Sequence, residues 1–448
     1  MHWSLASLVT ALAVPSFGFL QPSLLNPRHP RHSPRVENQP VQNPTQSSFQ
    51  NQTQSPFLNE RSSVYFWSSL HNPAAQENKE ILIYLTGGPG CSSIGELLQL
   101  NGPVSWQPGT FQPVQNKWSW HRLTNVVWID QPVGTGFSQG SPTSTSEADV
   151  TRDFLGFWQN FVDTFTLQGY QVYVTGSSYG GMYAPFISSA MLDRNDTAYF
   201  NVSGMAVWDG LYSKFPLVED IPVARFVDKW KEALPFNDTF KAGIKAIDEK
   251  CGYSAYLDEF LVFPPKGPQP SIMPGEDPVT GLARPECSLY LATFLAAKEL
   301  NPCLNPFDVT SKCPALFAPS RRPTFDLPAV KTALHAPPNT TWAFWPGHGH
   351  ATPVFAGPAS TSSLNAGPGR PARGLPGVIE RTGNVILGHG SRDFLVLPEG
   401  TLLTIQNLTW GGGMGFGERP EGVLFVPATA GGAAGAGVVG EQSCGEGG

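Results

Sequence analysis

The chain is short of charge. Only 14% of its 448 residues are Asp, Glu, Lys or Arg, against roughly 25% in an ordinary globular domain. Basic residues are the scarcer kind: 28 Lys and Arg stand against 35 Asp and Glu, a net charge of −7. With no cationic excess to neutralise phosphates, nucleic acid is excluded as an expected partner. Long apolar runs are also missing, with one exception. Residues 5–20 are apolar but broken by Pro15, and small residues flank Phe17 at Ser16 and Gly18. A run this short at the N-terminus reads as a secretory signal peptide, residues 1–18, rather than a membrane span. No other segment reaches membrane length, so no membrane partner is expected. Cysteines number six, few enough to form a handful of disulfides in an oxidising compartment. Six Asn-x-Ser/Thr sequons, at Asn51, Asn195, Asn201, Asn237, Asn339 and Asn407, agree with secretion. The expected location is secreted or vacuolar, by the secretory pathway.

Glycine (47) and proline (43) make up about a fifth of the chain, well above their usual roughly 12%. The fold should be rich in loops, yet 11% aromatics argue against wholesale disorder. Residues 19–60 hold Pro, Gln, Asn, Ser and Arg with little to bury; they read as a disordered or removable pro-segment. From Val64 the character changes. Val64-Tyr65-Phe66-Trp67, Ile81-Leu82-Ile83-Tyr84-Leu85, Val126-Val127-Trp128-Ile129-Asp130 and Gln171-Val172-Tyr173-Val174-Thr175 are short β-branched or aromatic runs. The last three run into glycine-bearing loops, as buried parallel strands do. Val150, Phe154, Phe157, Trp158, Phe161, Val162 and Phe165 recur at three- and four-residue steps, a helix packing on that sheet. The alternation predicts an α/β fold with a mostly parallel sheet. Residues 61–214 form its first part. Residues 215–375, proline-rich and holding four cysteines, read as a cap-like insertion. Residues 376–440 complete the sheet with a strand at Asn384-Val385-Ile386-Leu387 and another expected at Leu402-Leu403-Thr404-Ile405.

Gly176-Ser177-Ser178-Tyr179-Gly180 fits G-x-S-x-G between a strand and a helix expected over 182–192. That context makes a nucleophile elbow: a sharp turn lifts the Ser178 hydroxyl above the sheet edge, and small residues on both sides avoid a clash. The Tyr179 amide, at a helix N-terminus, is placed to bind an oxyanion. Gly87-Gly88-Pro89-Gly90 also follows a strand, and the Gly88 amide is the second expected donor. His348 and His350 lie close together but have no carboxylate or cysteine near them; neither a metal nor a cofactor is expected.

Four motifs occur in order: Thr86-Gly87-Gly88-Pro89-Gly90-Cys91-Ser92-Ser93, Asn101-Gly102-Pro103, Asp130-Gln131-Pro132-Val133-Gly134-Thr135-Gly136-Phe137-Ser138, and Gly176-Ser177-Ser178-Tyr179-Gly180-Gly181. Together they resemble the motif series of the serine carboxypeptidases, exopeptidases of the α/β-hydrolase fold, from about residue 64 to about residue 440. The resemblance implies removal of C-terminal amino acids from peptides and proteins through an acyl-enzyme. It assigns Ser178 as nucleophile and Asp393, in Gly388-His389-Gly390-Ser391-Arg392-Asp393, as the acid that orients a histidine. It places Thr86, Gly87 and Ser177 among the substrate-binding residues.

Several positions depart from the pattern. The family's histidine follows its aspartate, but none of the nine histidines here follows Asp393. Residues 441–448 read as an aberrant tail, the product of truncation or a frame shift. Without a base the 448-residue polypeptide should be inactive or nearly so; His389 is a poor substitute. Where the family has Glu before the nucleophile, Asn before the Gly-Gly pair and Glu before Asn-Gly-Pro, this chain has Ser177, Thr86 and Leu100. Those losses put recognition of a terminal carboxylate in doubt. They leave a catalytically dead binding protein, or an esterase-like hydrolase, as alternatives. Cys251, Cys287, Cys303 and Cys313 should make two bridges, and Cys91 should stay unpaired.

Overall fold

The computed structural model describes residues 63–67, 79–106, 113–140, 142–312, 324–342 and 374–422. The expectations for the signal peptide, the 19–60 segment, the 441–448 tail, Asn51, His348, His350, Cys313 and Cys444 lie outside them.

Six strands form the central sheet: β1 (Ser63–Trp67), β2 (Glu80–Leu85), β3 (Asn125–Asp130), β4 (Gln171–Ser177), β5 (Val202–Trp208) and β6 (Val385–Gly388). Their spatial order is β1-β3-β2-β4-β5-β6, antiparallel at β1–β3 and parallel elsewhere. Side chains alternate between two faces, as a pleated strand requires. Val64, Phe66, Ile81, Ile83, Leu85, Val127 and Ile129 face one core. Tyr65, Tyr84, Val126 and Trp128 face another. Both faces are covered, so the strands read as unbroken apolar runs; all six residues of β3 are buried.

Helix α1 (Glu147–Phe165) starts at Ser146, whose hydroxyl accepts the Asp149 N–H, and carries Glu147 and Asp149 in its first turn, where acids suit the helix dipole. Its stripe of Val150, Phe154, Trp158, Phe161 and Val162 is buried. Phe66 of β1 meets the rings of Phe161 and Phe165 at 5.5 and 4.9 Å. Helix α2 (Gly180–Arg194) lies in the same core.

The insertion is helical, with α3 (Asp238–Cys251), α4 (Tyr253–Phe260) and α5 (Tyr290–Leu300). Its core joins Phe226, Tyr253, Tyr290 and Phe294 to Phe394, Leu397 and Leu403, which follow β6. The Phe394 ring stacks on Phe226 at 5.1 Å and on Phe294 at 5.9 Å. The cap therefore grips the loop that carries Asp393. Helix α6 (Leu375–Thr382) leads back into β6.

One expectation needs correction. The strand expected at Leu402-Leu403-Thr404-Ile405 is part of helix α7 (Pro398–Gln406), which begins with proline in its first turn. Strand β5 was not anticipated, because Ser203 and Gly204 interrupt its apolar pattern. Gly204 is needed there: a Cβ would lie 2.6 Å from the Asn384 amide.

Cys251 and Cys287 are bridged, Cys303 is also disulfide-bonded, and Cys91 is free and buried. The Cys251–Cys287 bridge closes a separation of 36 residues. Replacing both cysteines by serine should lower stability by about 2–4 kcal/mol, read as an earlier urea midpoint; an unchanged midpoint would show that the cap's core suffices alone.

Buried carboxyls set a pH dependence. Burial raises Asp130 and Asp220 to about 6 and pushes Glu219, Glu147 and Asp393 upward as well. Unfolded carboxyls titrate near about 4, so over the window from about 4 to 6 the folded chain holds more protons than the unfolded one. Stability should therefore fall as pH rises through that window. Thermal melts should give a higher Tm at pH 4.5 than at pH 7.5, and the reverse order would contradict the sign.

Candidate active site

Strand β4 runs straight into Ser178, whose φ of +52° lies in the left-handed region, costly for any residue with a Cβ. Three backbone bonds hold it there. The Ser178 N–H donates to the Trp208 carbonyl at 3.0 Å, and its own carbonyl accepts from Gly181 and Leu211, both at 2.8 Å. The turn is possible only because Gly176 and Gly180, two residues to either side, lack side chains. A Cβ on Gly176 would lie 2.8 Å from the Leu85 oxygen and 3.1 Å from the Gly180 Cα. The sequence pattern and the geometry agree on this point: the strand, the bend and the helix N-terminus fall where an elbow needs them.

The turn after β2 is pressed against the elbow. A Cβ on Gly87 would lie 2.7 Å from both the Ser178 Cβ and the Tyr179 nitrogen. Gly88 has a φ of +121°. Gly87, Gly88, Ser178 and Tyr179 are thus brought together as one cluster of backbone. Tyr179 caps the N-terminus of α2, and its buried hydroxyl donates to the Glu147 carboxylate.

Asp393 sits on the loop after β6 and is 2% exposed. Its Oδ1 accepts from the Leu395 and Val396 amides at 2.7 and 3.3 Å. Burial first, and Asp209 second, push its carboxyl well above the ordinary range. His389 shares this loop. Its Nε2 is 2.7 Å from the Val396 carbonyl and its Nδ1 is 2.9 Å from the Thr401 hydroxyl. A carbonyl only accepts, so Nε2 carries the proton. Both ring nitrogens are engaged, Nε2 by the loop and Nδ1 by α7, and burial lowers the pKa of the imidazole.

Two site residues escaped the sequence reading. Asp209 follows β5 directly, with φ +50°. Its N–H donates to the Gly388 carbonyl at 2.9 Å, and its Oδ1 accepts from Gly390 at 2.6 Å. It ties the elbow's neighbour Trp208 to the Asp393 loop. Its position at the carboxyl end of a parallel strand, where open sheets bind ligands, was the available signal. Ligating atoms of Asp209, His389 and Asp393 lie within 4.8 Å of one another, but His389 would have to give up its bond to Val396 to hold a metal.

The second is Glu96, at the end of the short helix Ser93–Glu96. Asp130 anchors that helix, accepting from the Ser92 hydroxyl and the Ser93 amide, both at 2.8 Å. The Glu96 carboxylate accepts from the Ser177 hydroxyl at 2.9 and 3.0 Å and from the Tyr84 hydroxyl. Burial raises its pKa. Leu100, where an acid was expected to be missed, is 60% exposed; the acid beside Ser177 comes from one helical turn earlier. Its signal was a lone charge inside the otherwise uncharged stretch 81–116.

The profile of the serine carboxypeptidase family matches residues 40–235. Curated relatives extend the likeness. A probable serine carboxypeptidase of Arthroderma benhamiae is 41% identical over 387 residues, covering 81% of this chain and 69% of its own length. Serine-type carboxypeptidase F of Aspergillus niger is 43% identical, covering 76% of this chain and 65% of its own length. Among solved structures, the prohormone-processing carboxypeptidase Kex1 of Saccharomyces cerevisiae superposes with a TM-score of 0.61 over 82% of this chain and 77% of that one, at 21% identity. That superposition shows the α/β-hydrolase fold. With 69% of a relative's length matched at 41% identity, the chain belongs to the serine carboxypeptidase family.

Proposed function

We propose that this site releases single amino acids from peptide C-termini through an acyl-enzyme on Ser178. The observation that carries the reading is the Ser178 elbow, strained at positive φ with the Gly87 backbone packed against it. In this reading the Ser178 oxygen attacks the scissile carbonyl carbon. The new oxyanion is met by the amides of Gly88 and Tyr179, the latter at the positive end of α2. The serine proton passes to an imidazole oriented by Asp393, which returns it to the leaving amine. Water then attacks the ester carbon and regenerates Ser178. Thr86, Gly87 and Ser177 line the substrate side. The chemistry calls for no metal.

Among the described residues, the imidazole beside Asp393 is that of His389, with Nε2 3.6 Å from Oδ2. No histidine follows Asp393, and His389 is engaged with Val396 and Thr401. We therefore expect slow turnover by the 448-residue chain. A secretory route, with peptides as partners, fits the cap disulfides and the sequons.

Chemical rescue tests this directly. Added imidazole should raise release of the last residue from an N-blocked dipeptide by about tenfold or more, and Ser178→Ala should abolish the gain. Gly87→Ala should abolish it too, because the new Cβ would meet the elbow at 2.7 Å. Ester cleavage without amide cleavage would favour the esterase-like reading. Peptide binding with no Ser178-dependent turnover would favour a binding protein.

A further inference from the structure

We propose that Asp209, His389 and Asp393 form a site for a divalent cation of borderline softness, such as Zn2+, with the Val396 carbonyl as a fourth ligand. The site goes beyond the carboxypeptidase reading, whose chemistry calls for no metal.

Two neighbouring strand ends bring the ligands together. Asp209 follows β5, His389 and Asp393 lie after β6, and Trp208 pairs with Gly388 across the two strands. His389 Nε2 is 4.0 Å from Asp209 Oδ1 and 3.6 Å from Asp393 Oδ2. All three ligating atoms lie within 4.8 Å of one another, and the Val396 oxygen is 2.7 Å from the same nitrogen. Around a tetrahedral Zn2+, with bonds of about 2.0–2.1 Å, ligand atoms stand about 3.3 Å apart, so movements of under about 1 Å would seat the ion. Imidazole beside carboxylates suits Zn2+ and its first-row neighbours better than Mg2+, which prefers oxygen alone.

The atoms an ion needs are free to meet it. Asp393 Oδ1 takes the Leu395 and Val396 amides, while Oδ2 accepts no hydrogen bond among the described residues. The Gly390 amide orients Asp209. Neither carboxylate has a lysine or arginine within salt-bridge distance among the described residues. A buried acid without a cation is costly, and the Asp393 side chain is only 3% exposed. Tyr212 gives an independent sign. It is 1% exposed, its hydroxyl has no partner, and Asp209 is the charged group that acts on it. A water on the ion would satisfy that phenol.

His389 must change tautomer to bind. Its proton leaves Nε2 and, through solvent, returns at Nδ1, so the net charge of the ring is unchanged. The new Nδ1–H then donates to the Thr401 hydroxyl, 2.9 Å away, as metal-bound imidazoles usually donate their second N–H. Thr401, on α7, can turn its own proton to the helix carbonyl four residues back. The Val396 carbonyl exchanges the lost N–H for the ion. Entry is past Asp209, whose side chain is 39% exposed. An ion held here occupies Asp393, which the proposed reaction gives to an imidazole; the site is therefore inhibitory, a consequence that rests on the carboxypeptidase reading.

The test is calorimetric titration of the full chain with Zn2+ alone at pH 7. The parent should bind one more tight equivalent than Asp209→Asn or His389→Ala; whatever His29, His32, His348 and His350 take is common to all three. Asp209→Asn still accepts the Gly390 amide and should melt with the parent in the absence of metal, whereas Zn2+ should raise the Tm of the parent further. Thr401→Val should weaken the extra equivalent about tenfold or more. Equal stoichiometry and affinity in the parent, Asp209→Asn and His389→Ala overturns the site. Zn2+ should also suppress the imidazole-rescued turnover of the parent; undiminished turnover with the ion bound overturns the inhibitory role. Binding is read without turnover, so a failed rescue counts against the carboxypeptidase reading alone.

Discussion

The site depends on a single constraint: the backbone at Ser178 must sit at positive φ with other backbone pressed against it. Such a residue costs on the order of 1–3 kcal/mol, and it persists only where its surroundings allow nothing else. Here the Trp208 carbonyl fixes its N–H, and Gly181 and Leu211 fix its carbonyl. Gly176 and Gly180 admit the Leu85 oxygen at distances where a Cβ would clash. The bend is thus determined by three strands at once, β2, β4 and β5. Three parts of the site are attached to them: the Gly87-Gly88 turn to β2, the serine to β4, Asp209 to β5.

The remaining groups are held by a different device. Asp393 lies beyond the sheet, in a loop that would wander if only β6 restrained it. Phe394, its neighbour, is stacked between aromatic rings of the cap, so the insertion's core fixes the acid. Glu96 is fixed from the opposite side, through Asp130 at the end of β3. Burial raises the pKa of both Glu96 and Asp393, which are held by different structural units, and Asp209 acts on both.

Much of this could be read from the residues. Strands covered on both faces show as unbroken apolar runs, and the elbow pentapeptide follows one of them. The failures have physical causes. Leu402-Leu403-Thr404-Ile405 looks like a strand because α7 is buried on nearly every side, which removes the helical period. β5 was hidden by Gly204, a residue demanded by the close approach of Asn384. Glu96 was unreadable for another reason. Its partners Tyr84 and Ser177 lie 12 and 81 positions away, and no local pattern announces a contact made by topology. Acids are missing at Ser177 and Leu100, and the carboxyl that meets the Ser177 hydroxyl is Glu96, from the preceding turn of the chain.

The central proposal is that Ser178 is a half-buried nucleophile at a strained bend, waiting on a base. Peptide mapping after reaction of the folded chain with diisopropyl fluorophosphate, in the presence of imidazole, tests it most directly. The account predicts one phosphorylated serine, Ser178, and no labelling once the chain is unfolded. Modification of other serines at equal rates, or none at Ser178, would contradict it.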